Sequence, residues 1–150
     1  MHIDRELRVT HFEDLSKYTY SKDNRRALNV GWLGEGHSFP IGHVESEIFD
    51  SLLELVDSPM NIMRGLHNCE FCDADSPVTV LSTSGERKVR VGVGEIRVRG
   101  RDRIAFAAPT LIVHYIDAHN YLPPQRFLDA VRDTSTNSSA SSHVRAWWGI

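Results

Sequence analysis

"KVRVGVGEIRVRGRDRIAFAAPTLIVHYIDAH", residues 88–119, changes its periodicity along its length, and that change sets the fold class. In "KVRVGV" apolar and polar residues alternate, the period of a half-buried strand. A similar run, "VTVL" (78–81), lies upstream, and the turn-rich "STSGE" between the two predicts a hairpin. "EIRV" (95–98) and "RIAFA" (103–107) flank "RGRD" and predict a second hairpin. Ile96, Val98, Ile104 and Phe106 would then share one face, leaving Arg97, Arg99 and Arg103 for the other. Beyond them the alternation stops. Pro109 suits the first turn of a helix through "TLIVHYIDAH", and Asn120 suits its C-cap.

Working outward, Ile48, Leu52, Leu55 and Val56 repeat at helical spacing within Val44 to Asp57, with Glu45, Glu47, Asp50 and Glu54 between them. Acidic residues in the first turn favour the start of this amphipathic helix, and "DSP" (57–59) ends it. "PQRFLDAVRD" (124–133) predicts a short final helix through Phe127, Leu128 and Val131. Before these elements, "HFEDL" and "YTY" read as extended or irregular segments wrapping a core. "LNVGWLGEGHSFPIG" (28–42) holds four glycines and a proline, and reads as a loop anchored by Trp32 and Phe39. It lacks the Lys-Ser/Thr ending of a phosphate-binding loop. Hairpins and helices in this order define an α+β fold.

The chain's 150 residues fit one domain, able to bury about 70% of its unfolded surface. A net charge of −3 argues against a general polyanion binder. No apolar run reaches membrane-spanning length, and "MHIDRELRVTHFEDL" has no apolar core of a secretory signal. Two cysteines are too few for a disulfide framework, so a reduced, cytoplasmic setting is expected.

Those two cysteines stand in "GLHNCEFCDAD" (65–75) as Cys69-x-x-Cys72, and the predicted helix downstream carries His114-x4-His119. Cys-x-x-Cys, hairpin, then a helix with two histidines is the ligand and element order of a ββα Cys2His2 zinc finger. The gap from Cys72 to His114 far exceeds that of a compact finger, but the hairpin at 78–93 can occupy it. Residues five apart on an ideal helix sit ~140° around from each other. Both histidines can therefore meet one ion only if His119 lies where the helix tightens or frays, and Asn120, Tyr121 and Pro123-Pro124 place the end there. Cys69, Cys72, His114 and His119 are thus the predicted metal ligands, for zinc. His67 is the reserve ligand, and His2, His11, His37 and His143 read as surface or loop residues. The predicted domain is residues 1–133, a single zinc-binding α+β unit, followed by a flexible Ser/Thr-rich tail at 134–150. Trp147 and Trp148 in that tail suit docking on the core or a partner as well as a disordered end.

"HFEDLSKYTY", "LNVGWL", "GLHNCEFC" and "APTLIVHYIDAHNYLPP" together resemble a family of uncharacterised bacterial proteins, a domain of unknown function, over roughly residues 10 to 131. That resemblance implies no activity. The likeness to Cys2His2 fingers covers residues 69 to 119, is topological, and implies zinc without implying DNA.

Three functions compete. Four protein ligands close a zinc's coordination sphere, which favours a structural site in a binding, adaptor or regulatory protein without catalysis. Nucleic-acid binding draws on Arg97, Arg99, Arg101 and Arg103 with Arg87, Lys88 and Arg90, but "PTLIVHYIDAH" offers no side chain for base edges, so no sequence-specific reading is expected. A zinc deaminase draws on "HVE" (43–45) ahead of Cys69-x-x-Cys72, with Glu45 moving protons. There Asn68 stands where that signature has proline, and the helix histidines go unexplained. A lone Cys-x-x-Cys also suits a redox pair, but no thioredoxin-like βαβ pattern accompanies it. The reading leaves room for a protein partner of unknown identity, and no membrane is expected.

Overall fold

The computed structural model describes residues 11–18, 27–60, 68–73, 77–101 and 103–140, the last five by backbone alone. Along the chain come β1 (Ala27–Asn29), α1 (Ser46–Val56), β2 (Val78–Leu81), β3 (Lys88–Val91), β4 (Glu95–Arg99), β5 (Ala105–Pro109), α2 (Ile112–His119) and α3 (Gln125–Ala140). These make one α+β domain with two small sheets and three helices among the described residues.

Both hairpins form where alternation places them. β2 and β3 pair antiparallel with Val80 opposite Val89, and both valines are buried while Lys88 and Arg90 point out. β4 and β5 pair antiparallel with Val98 opposite Phe106. The second hairpin belongs to a larger sheet, because β1 adds parallel to β5 in the order β1-β5-β4. Three residues, "ALN", are too short for a periodicity to register, and β1 escapes the sequence reading for that reason.

Pro109 is not in the first turn of α2. It ends β5 opposite Glu95, and α2 starts three residues later. The Ala107 carbonyl points towards the β1 side, where it accepts from Val30 N–H and Trp32 Nε1. Backbone groups alternate sides along a strand, so the Pro109 nitrogen faces that same side, past the end of β1. A missing N–H costs nothing there. Thr110 then turns the chain: its hydroxyl donates to the Val93 carbonyl and accepts from Gly92 N–H, each at 3.0 Å.

α1 packs against α2, α3, β3 and β4, burying Ile48, Phe49, Leu52, Leu53 and Val56. Ile96, Val98 and Phe106 from the sheet, Phe127 and Val131 from α3, and Leu111, Ile112 and Val113 complete the main core. α3 is longer than the expected short helix, since its backbone continues through the Ser/Thr stretch to Ala140. Trp147, Trp148 and His143 lie outside the described residues.

The opposite face of the three-stranded sheet is also covered. Tyr18, Ala27, Trp32 and Ala107 form a second cluster with Phe12 against it. Residues 11–18, irregular as expected, supply the cover through Phe12 N–H to Trp32 carbonyl, Leu15 N–H to Asn29 carbonyl and a bridge from Lys17 to Leu28. Arg97 is therefore not on an open face. It is only 21% exposed beside the buried Glu95, whose oxygens also accept Tyr18 Oη at 2.7 and 2.9 Å. As expected, the loop after β1 is anchored by buried Trp32 and by Phe39, which packs edge-on against Phe71 and Tyr121.

Candidate metal centre

Residues 68–73 bend tightly, and their side chains alternate in environment. Cys69 is buried and Phe71 partly buried, while Glu70 and Cys72 are exposed. Phe71 fixes the bend. Its ring packs against Phe39, Tyr115 and His119 at 5.3 to 6.0 Å between centroids, and its N–H donates to Cys69 Sγ at 3.4 Å. Glu70 ties the outer side down by accepting Glu35 N–H at 2.7 Å. An apolar anchor between two cysteines is invisible to a search for ligands, although "CEFC" displays it.

The histidines come from α2, whose end decides the geometry. Asn120 takes the left-handed conformation at φ 57°, the C-cap role expected of it. Its N–H reaches back five residues to the Tyr115 carbonyl, and Tyr121 N–H reaches the same oxygen. The final turn is therefore wider than an α turn, not tighter. An i to i−5 closure is π-like and brings residues five apart towards one face. The His114 and His119 rings lie edge to face with centroids 5.2 Å apart. Just beyond, Gly42 N–H donates to the Asn120 carbonyl and Leu122 N–H to the Pro40 carbonyl, which pins the exit from the helix.

One donor atom from each of Cys69, Cys72, His114 and His119 lies within 4.8 Å of the others. Cys69 Sγ is 3.3 Å from His119 Nε2, and Cys72 Sγ is 3.4 Å from His114 Nε2. A tetrahedral ion with Zn–S about 2.3 Å and Zn–N about 2.0–2.1 Å has ligand-to-ligand edges of about 3.3–3.8 Å. A thiol-imidazole hydrogen bond would explain either pair alone. It would not draw both pairs together, so the fourfold convergence is the observation that matters. The set could hold a metal ion.

Burial acts oppositely on the two donor types. Burial is the main cause pushing the Cys69 thiol up, and the neighbouring Cys72 adds to it against the Phe71 N–H. Burial, then the charge of His119, push His114 down, with Asp117 opposing. His114 is thus held as the neutral imidazole that ligates metals. A divalent cation would supply the charge that lets both thiolates persist.

Among the described residues this is the one such Cys/His/carboxylate group. His67 lies outside them, as does His2. His43 takes no part in the cluster; it is exposed, and Glu45 accepts Arg132 Nη2 at 3.0 Å at the surface. The His43-x-Glu45 arrangement of a deaminase site is not assembled with the cysteines. His11 and His37, expected as surface or loop residues, lie in loops and stack in parallel at 3.7 Å. Three of the seven basic residues of the two hairpins pair with carboxylates of the domain: Arg97 with the buried Glu95, and at the surface Arg87 with Asp57 and Glu54 and Arg101 with Asp133. No helix among the described residues is long and apolar enough to cross a membrane.

Fold and site together define a small α+β domain with a possible Cys2His2 metal centre. The chain belongs to the family described as Domain of unknown function (DUF7919), whose model matches residues 10–132. No curated protein and no solved structure matched the chain.

Proposed function

We propose that this chain is a zinc-binding protein in which Cys69, Cys72, His114 and His119 hold a structural ion, and that it serves as a binding, adaptor or regulatory module. The carrying observation is the convergence of two thiols and two imidazoles within 4.8 Å, drawn from a loop and a helix 42 and 50 residues apart in sequence. Two sulfurs and two nitrogens in a tetrahedron suit zinc, and four protein donors leave no position for water or substrate. The ion would fasten the 68–73 loop to the end of α2, where the final turn is already widened. Zinc is the cofactor of this reading, and no residue is assigned catalysis.

A partner of this module would be a protein of unknown identity; the helix that carries the histidines offers no side chain to read base edges, and Arg97 is turned onto the buried Glu95. Cobalt substitution tests the donor set. Co(II) bound by two thiolates and two imidazoles gives intense tetrahedral d–d bands and a sulfur-to-metal charge-transfer band. Weak octahedral bands without charge transfer would reject the assignment.

A further inference from the structure

The two cysteines of the centre differ in environment. Cys69 is buried and receives the Phe71 N–H on its sulfur, whereas Cys72 is the more open to solvent of the two. Their sulfurs lie within 4.8 Å of each other on one bend, close enough for side-chain rotation to join them. A bound divalent ion would hold such a thiol as the nucleophilic thiolate. Solvent access beside a second thiol is the arrangement of a cysteine that oxidises reversibly.

The geometry points to Cys72 as an oxidation site for hydroperoxides, with Cys69 as its resolving thiol, so that oxidation empties the metal centre. This rests on the zinc reading above. In the first step the Cys72 sulfur attacks the distal oxygen of a hydroperoxide. An S–O bond forms, the O–O bond breaks, and the alcohol or water leaves with a proton from solvent. Cys72 is then a sulfenic acid. Next the Cys69 thiolate attacks the Cys72 sulfur, an S–S bond forms, the S–O bond breaks, and hydroxide leaves to be protonated. Two thiolates lose two electrons, and one hydroperoxide gains them. A disulfide offers no thiolate, so the centre keeps only His114 and His119 and loses its ion. The 68–73 bend is then held against α2 by the Phe71 ring without the metal. Thiol reductants reverse the disulfide and restore all four donors.

The test uses the full chain with its zinc content measured first. Zinc-loaded protein is exposed to hydrogen peroxide, with a chromogenic chelator reporting released zinc and intact mass reporting the cysteines. The expected result is loss of one zinc for each loss of two hydrogens, reversed by dithiothreitol with added zinc. A short pulse in the presence of dimedone should label Cys72 before Cys69, read by peptide mapping of the unmutated protein. Retention of zinc with both thiols intact would overturn the inference and leave the zinc reading standing. First labelling at Cys69, or sulfinic acid at Cys72 with Cys69 still reduced, would overturn it as well. Protein that binds no zinc at all would overturn both.

Discussion

The Tyr121 phenol donates a 2.8 Å hydrogen bond to Oδ2 of Asp14, joining residues 107 positions apart. Tyr121 is fully buried immediately after the widened end of α2, and the other Asp14 oxygen accepts Gly31 N–H at 3.0 Å. The irregular 11–18 segment is thereby tied to the helix that carries His114 and His119. Tyr121→Phe should leave Asp14 short of a donor and destabilise the domain by about 1–3 kcal/mol. Denaturant unfolding measures this, and zinc content should not change. An unchanged unfolding midpoint would show that the contact carries no stability.

Gly31 has φ +79°, and a Cβ added there would lie 2.8 Å from Ile112 side-chain atoms. Ile112 is the first residue of α2, so any side chain at 31 pushes on the element that presents the histidines. Gly31→Ala combines backbone strain of about 1–3 kcal/mol with overpacking, and a clear fall in melting temperature is expected. A neutral effect would mean that the loop relaxes freely.

Burial, and then the hydrogen bond to Glu95, raise the Tyr18 phenol above its ordinary value. The sign follows from linkage. The folded state holds this proton more tightly than the unfolded state, so its contribution is intact below the unfolded pKa of about 10. It is lost as pH rises from there through the folded value. Thermal stability should therefore fall above about pH 10, and the fall should be smaller in Tyr18→Phe. Identical alkaline profiles for the two proteins would contradict the assignment.

Much of this was legible in the sequence for physical reasons. Period-two alternation located both hairpins, 3.6-residue spacing located α1, and the Cys/His spacing brought forward four residues that the fold does bring together. Other features lay in contacts between distant segments. Pro109 reads locally as a helix opener, and only the end of β1 beside it explains why it can close a strand. Glu95 shares the strand parity of Arg97 and Arg99, yet it is 1% exposed, with Tyr18 arriving from 77 residues away and Arg97 folding onto it from the same strand. The widened turn after His119 depends on Asn120 and on the pinned strand-like exit at Ile41 and Tyr121.

The arginine-rich strands should give at most weak, salt-sensitive binding to nucleic acid. Phosphate-driven affinity falls steeply with salt, and three of the arginines already face carboxylates. Fluorescence anisotropy with labelled duplexes at physiological salt checks this. Submicromolar, sequence-selective binding would be the contrary result.

The central claim is a structural zinc at Cys69, Cys72, His114 and His119, and zinc per chain tests it most directly. Elemental analysis of protein purified without added metal should find one tightly bound zinc, lost in Cys72→Ser and His114→Ala. Structural zinc in finger peptides carries ~10–16 kcal/mol of apparent binding free energy against a domain's ~5–15 kcal/mol net stability, so both variants should melt far lower and dissolve poorly. His43→Ala should keep its zinc, and Glu45→Gln should lose only a surface pair with Arg132, worth about 0–1 kcal/mol. Metal-free protein with both thiols free and full thermal stability would contradict the account, as would loss of zinc in His43→Ala alone.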